Sequence, residues 1–276
     1  MNPAALNLTT EILGYMKFCF VQLDAAKADS RLARALETIG AGLENMHSIE
    51  GNPSEDARRH GRFQYLRADP GLLAERDLPD QGIALANVLI RLESSTAAPL
   101  AAYEDALRPL IEQRGGELYS RTGIAKPRSY TSHAMTQFAY AHAQAPASGA
   151  KHPFGVVTPQ NKTREWWAMD WMRRESFFLP RYDSAGNIVA KGHALASAAG
   201  IPCINRRLVH HPDGYGLNEG YDFIGYFEFA AADAPVFRSV MAGLRDRDQN
   251  PEWEYVREGP EWWGRRVGQA EDLWVG

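Results

Sequence analysis

The sequence predicts an α+β protein of two halves, whose antiparallel sheets pack face to face or close into a barrel. Three observations lead there. A strand–helix–strand layout occurs twice: Val88–Glu93 is followed by Pro99, a helix and a strand over 117–121, and Ile224–Phe229 by Pro235, a helix and a strand near 252–256. A small-residue stretch, 142–152, separates the repeats and places the boundary between an N-terminal half, 1–145, and a C-terminal half, 146–276. The 276 residues, 45% hydrophobic and 23% charged, are enough for one large core or two small ones.

The elements follow in order. Residues 13–22 are aromatic and apolar and read as a strand. Asp29 or Ser30 can cap a helix that carries Leu32, Leu36 and Ile39 on one face. Residues 46–60 read as a polar loop, 62–66 as a short strand and 83–92 as a mostly apolar one. Leu100, Tyr103, Leu107 and Ile111 have helical spacing, which Pro109 should kink or shorten and Gly115-Gly116 should end. After the boundary, Phe154–Thr158 is a strand, and Glu165–Arg174 reads as one unbroken helix with Trp167 and Trp171 a turn apart. A helix burying an aromatic face accounts for those tryptophans without any ligand, although flat rings also pack well against a planar cofactor. Residues 180–192 form a loop or short hairpin around Asp183, Gly186 and Asn187. His193 then opens an alanine-rich turn, where a lone histidine is by default a surface or capping residue.

Composition excludes several classes. A net charge of -4 and a pI near 6.1 give no basic field for nucleic acid or an anionic membrane. No apolar run approaches a membrane span, and Met1–Ala5 lacks the pattern of a signal peptide, so a cytoplasmic protein is expected, or a periplasmic one if the N-terminus was trimmed. Cys19 and Cys203 form no cluster that could hold zinc or a disulfide framework. His210 and His211 are neighbours on a strand, so their side chains point to opposite faces, one inward and one solvated. Arg245–Asp248 reads as a solvated helix end.

Pro153–Pro159 leading into Glu165-Trp166-Trp167-Ala-Met-Asp170, with Gly216-Leu217-Asn218 and Tyr221–Glu228 downstream, resembles the chlorite dismutase-like haem protein family over residues 153–264. The resemblance is closer to chlorite dismutases than to coproheme decarboxylases, whose catalytic tyrosine has no counterpart in Phe154–Thr158. It implies two ferredoxin-like halves forming a dimeric α+β barrel, with outer helices and haem b held in the C-terminal half. Residue by residue, it implies His193 as the axial iron ligand, with Asp248 or Glu252 accepting from its other ring nitrogen. It further implies Lys162 at a haem propionate, Trp166 and Trp167 beside the porphyrin, and Arg206, thirteen positions beyond His193, as the distal guanidinium. The implied reaction is chlorite to chloride and dioxygen, with Arg206 capturing the oxyanion. The implied assembly is a homo-oligomeric ring such as a pentamer.

The sequence departs from the family in one place. Between Asp170 and His193 lie roughly ten more residues than the family carries, and the shorter spacing would put the ligand near Arg181-Tyr182. Tyr182 is therefore a rival axial ligand. Two alternatives stand beside the first reading: a peroxidase-like or other haem-dependent transformation of a small organic substrate in a pocket altered by 180–192, and a cofactor-free α+β barrel binding protein.

Overall fold

The computed structural model describes residues 12, 14–41, 63–69, 71, 80–126 and 152–275; the expected polar loop 46–60 and the boundary at 145/146 lie outside them. The first strands are β1 (Gly14–Gln22), β2 (Phe63–Ala68), β3 (Val88–Ser94) and β4 (Glu117–Ala125), hydrogen-bonded in the order β2-β3-β1-β4. Helix α1 (Ser30–Ala41) lies between β1 and β2 in sequence. Its start is set by Asp29, whose carboxylate accepts from the Leu32 amide at 2.7 Å. A single turn, α2 (Gln81–Ala84), precedes β3, and α3 (Ala98–Glu112) follows it. The expected strand 83–92 therefore begins with the last two residues of α2 and a short turn, and its strand part starts only at Val88. Helix α3 runs through Pro109 to Glu112, with Leu100, Tyr103, Leu107 and Ile111 buried as their spacing predicts.

The C-terminal residues repeat the layout. β5 (Phe154–Lys162) leads to α4 (Arg164–Ala168) and α5 (Trp171–Ser176), then to a two-stranded hairpin of β6 (Arg181–Tyr182) and β7 (Ile188–Ala190). After it come α6 (Gly192–Ser197), β8 (Asn205–His210), β9 (Phe223–Phe229), α7 (Ala234–Arg245), β10 (Val256–Glu258) and β11 (Trp262–Val267). The strand expected near 252–256 is instead a 3-10 turn over Pro251–Tyr255, and the closing strand is β11.

β4 pairs with β8 and β11 with β2, while β5 pairs with both β9 and β11. Eight antiparallel strands thus close on themselves, and β10 adds to β5 beyond β11. Closure removes the exposed edges that open antiparallel sheets must otherwise protect. The period of two along each strand sorts the side chains. Met16, Phe18, Phe20, Leu66, Leu89, Val209, Ile224 and Trp262 fill the barrel. On its outside, α1 and α3 cover Val21, Ile90 and Leu92, and α7 covers Phe154, Val156 and Phe229.

The barrel also encloses charge. Glu228 takes hydrogen bonds from Gln64 at 2.6 Å, Tyr226 at 2.8 Å and Asn205 at 3.2 Å, and pairs with Arg266. Burial opposes ionisation of Glu228, but Arg266, Arg91 and Arg207 hold its pKa down at about 2. Glu104, outside the barrel, is likewise opposed by burial and held at about 2 by Lys17, Ser120 and Arg108. Both values lie below the ordinary 4.5 of the unfolded chain. Such carboxylates add stability that is fully present above the unfolded value and is lost as pH falls toward the folded one. The urea midpoint should therefore hold from neutral pH to about 5 and fall between about 4.5 and about 2, less steeply in Glu228→Gln. A midpoint constant down to pH 2 would contradict this.

Candidate functional site

The site lies on the outer face of the C-terminal sheet. Phe154 and Val156 of β5 face outward and Val157 inward, so Thr158, Gln160 and Lys162 continue the outward face. On β8, Asn205, Arg207 and Val209 belong to the inward side, and Arg206 to the outward one, opposite Phe227 of β9. Helices α6 and α7 stand over this face and close a pocket of about 940 Å³ including its mouth. His193 and Arg206 both line it, with Thr158, Gln160, Ser197 and Glu258. The remaining wall is mostly apolar: Ile201, Ile204, Phe227, Phe237, Val240, Met241 and Leu244. The thirteen-residue spacing has brought the two sequence candidates into one cavity.

The hydrogen bonds of α6 explain the long interval before His193. In an unbroken helix the carbonyls of Phe177 and Phe178 would accept from the amides of residues 181 and 182. They accept instead from His193 at 3.3 Å and Ala194 at 3.0 Å. The hairpin is thus an excursion of twelve residues (193 − 181) from a helical path that resumes where it left off. His193 occupies the place that the shorter spacing assigns to Arg181. Tyr182, the rival ligand, is 58% exposed on the hairpin, and the pocket lining contains no residue from 180 to 191.

The rejoining point requires Gly192. Its φ is +63°, and a Cβ there would sit 2.4 Å from the Leu179 carbonyl oxygen. Gly192→Ala should destabilise the protein by roughly 1–3 kcal/mol. An unchanged urea midpoint in that variant would show that the junction tolerates a side chain.

His193 is oriented by a buried carboxylate. Its Nδ1 lies 2.7 Å from Glu252 Oε2, and Lys162 pairs with the other oxygen of the same group. Burial would raise the Glu252 pKa, but Lys162 first and His193 second hold it well below the usual carboxylate range. Glu252 is 3% exposed, so the ion pair with Lys162 is what keeps a charge there at acceptable cost. This decides between the two carboxylates offered by the sequence, because Asp248 is exposed and Glu252 holds the ring. The Lys162 ammonium, besides pairing with Glu252, lies 4.2 Å from the centroid of Trp166.

The helix that carries the tryptophans is broken. Met169 and Asp170 are extended, and Asp170 caps a new helix by accepting from Arg173 N at 2.9 Å. The expected continuous helix is therefore two short ones, and Trp171 is 54% exposed. Trp166 is fully buried against Phe177, Phe178 and Leu208. Trp167 stacks on Tyr215 with centroids 4.5 Å apart and donates to Asp222 at 3.1 Å. Neither ring lines the pocket, and Phe178, 5.4 Å from the His193 ring, is the aromatic neighbour of that histidine.

Among the other histidines read from sequence, His210 is buried and bonded to the Tyr215 hydroxyl at 2.9 Å, while His211 is half-buried. Of Arg245–Asp248, the last three are exposed as expected at a solvated helix end, whereas Arg245 is half-buried and pairs with Glu258 and Glu261.

Thr158, Gln160 and Ser197 were missed by the sequence reading. The outward period from Phe154 could have found the first two. Gly225 was missed as well. A Cβ there would meet Thr158 Oγ1 at 2.7 Å and the Phe227 ring at 2.9 Å, so the glycine lets these two pocket side chains pack close against β9.

Comparison of the whole chain with solved structures gives the fold. A tryptophan-to-phenylalanine mutant of chlorite dismutase from Candidatus Nitrospira defluvii, in complex with cyanide, matches with TM-score 0.62 and 19% identity over 96% of this chain and 95% of that one. The chlorite dismutase of the same organism in complex with imidazole matches with TM-score 0.62 and 19% identity over 98% of each chain. An arginine-to-alanine mutant of it gives TM-score 0.62 at 18% identity over 98% of each. The fold is that of the chlorite dismutases. No family model matches the sequence, and no curated protein matches it by sequence. In this chlorite dismutase-like fold, no helix among the described residues is long and apolar enough to cross a membrane.

Proposed function

We propose that this chain is a haem b protein that decomposes chlorite to chloride and dioxygen. One observation carries the reading: an imidazole held through Nδ1 by a buried carboxylate lines the same pocket as a guanidinium. With Nδ1 on the carboxylate, Nε2 is the nitrogen an iron would take, and the carboxylate would raise its basicity. Among the described residues no group of three His, Cys, Asp or Glu could hold a metal ion. One imidazole supplies one ligand, so an iron here must bring the rest with it, as haem does. The apolar walls suit a large flat group.

When bound, haem supplies an iron at which an oxyanion is reduced. The chain's own residues do the rest. Glu252 fixes the orientation of His193, and Lys162 keeps Glu252 ionised. Arg206, permanently charged and planar, draws in the oxyanion and retains its chlorine-bearing fragment until dioxygen has formed. The apolar wall keeps competing water out. The two repeats, each ordered as a strand pair flanking its own first strand, support two ferredoxin-like halves, and a homo-oligomer fits the same reading. The described pocket wall contains no residue from 180 to 191, which favours the first reading over a pocket shaped by the insert.

The test is oxygen evolution by hemin-loaded protein on adding chlorite. Oxygen release supports the proposal. A haem-loaded protein that releases none, and oxidises peroxidase substrates instead, would favour the peroxidase-like alternative; a protein that takes up no hemin would favour a cofactor-free binding protein.

A further inference from the structure

The network beneath His193 continues at a strand end. Asp222 immediately precedes β9 and is 3% exposed. Its carboxylate gathers N–H donors from three segments. The Lys162 amide at 2.7 Å and the Trp167 indole at 3.1 Å reach Oδ2, and the Gly216 amide at 2.5 Å reaches Oδ1. An ionised carboxylate only accepts, so it can hold all three at once. The backbone ladder of β5 and β9 ends at Gln160 and Phe223. Beyond it side chains take over: the Asp222 amide donates to Asn161 Oδ1 at 2.6 Å, and the Lys162 amide to Asp222. On its other side Lys162 pairs with Val256 of β10, and the Thr163 amide donates to the Tyr255 carbonyl at 2.9 Å. β10 follows directly from the 3-10 turn that carries Glu252. Lys162 is therefore clamped between Asp222 and the segment that delivers its counterion. The two tryptophans of α4 divide between the same pair, Trp166 under the Lys162 ammonium and Trp167 on the Asp222 carboxylate.

We propose that Asp222 is a positioning residue for His193. By fixing the backbone of Lys162 it sets the reach of the ammonium to Glu252, and through Glu252 the hold on the imidazole. This deepens the haem reading and rests on it only for what His193 binds.

The test uses the protein without hemin, 15N-labelled at histidine, at one fixed pH. Wild-type His193 should be the Nδ1–H tautomer, with that proton shielded from exchange by Glu252. Asp222→Asn puts an NH2 group among N–H donors, and exchange of the His193 proton should become at least about 10-fold faster. Exchange of the Val157 and Tyr226 amides, within the ladder, should stay as it was. Lys162→Met should accelerate the His193 proton likewise, and the double variant no more than either alone, as for residues that act through one another. Asn161→Ala, which removes the reciprocal bond and no charge, should give a smaller acceleration and serves if Asp222→Asn fails to fold. A lowered urea midpoint with His193 exchange unchanged would make Asp222 merely structural and overturn the proposal. So would accelerations that multiply in the double variant, or a wild-type ring found as the Nε2–H tautomer. If these results hold but hemin is not taken up, the haem reading fails and the role of Asp222 stands.

Discussion

Replacing His193 by alanine is expected to abolish stable hemin uptake. In wild-type protein one equivalent of hemin should give a sharp Soret band; in His193→Ala the apparent affinity should fall by at least about 100-fold, beyond the ~10–100-fold that losing a ligand's hydrogen-bond partner causes. The reason is geometric. His193 is the imidazole of the described pocket wall, and a buried carboxylate locks its ring. Free imidazole should restore much of the band by filling the space left. Tyr182→Phe should leave it untouched, because Tyr182 stands exposed on the hairpin. A Soret band that survives His193→Ala but disappears in Tyr182→Phe would reverse the assignment.

Arg206→Gln is expected to separate binding from turnover. The register of β8 turns Arg206 outward opposite Phe227, while Arg207 turns inward to Asn205 at 2.8 Å. The substitution should therefore leave the barrel and the Soret band in place. Chlorite-dependent oxygen evolution should fall by about 10²–10³, the scale associated with removing one electrostatic stabiliser of a transition state. Arg206→Lys should retain part of the rate, since an ammonium keeps the charge but loses the planar fork. Oxygen evolution unchanged in Arg206→Gln would remove the guanidinium from the chemistry.

Strand period and repeat layout made much of the fold legible. The outward and inward sides of β1, β5 and β9 follow alternation, and the twofold strand–helix–strand layout anticipated a closed sheet. Local strength misled elsewhere. Glu165–Arg174 contains no proline or glycine and reads as one helix, yet Asp170 finds a better partner in the Arg173 amide and starts a second. Residues 83–92 are apolar enough for a strand, but Asp80 and the α2 turn claim the first of them.

Within the site, the interval between His193 and Arg206 is local and survived folding. The partner of His193 is not local. Glu252 lies 59 positions away, and only the 3-10 turn over Pro251–Tyr255 brings it, rather than Asp248, to the ring. Lys162 pairs with that same distant carboxylate for the same reason. A sequence names a buried cation easily, but its counterion depends on which elements pack against it. The hairpin, an obstacle in the sequence, becomes simple once the carbonyls of Phe177 and Phe178 reveal a helix interrupted and resumed.

The most direct measurement is a crystal structure of the hemin-loaded protein. The account predicts iron at bonding distance from His193 Nε2, Glu252 still on Nδ1, and the Arg206 guanidinium on the opposite side of the porphyrin plane. Iron bound by Tyr182 or by another group, or a porphyrin lodged outside this pocket, would contradict it.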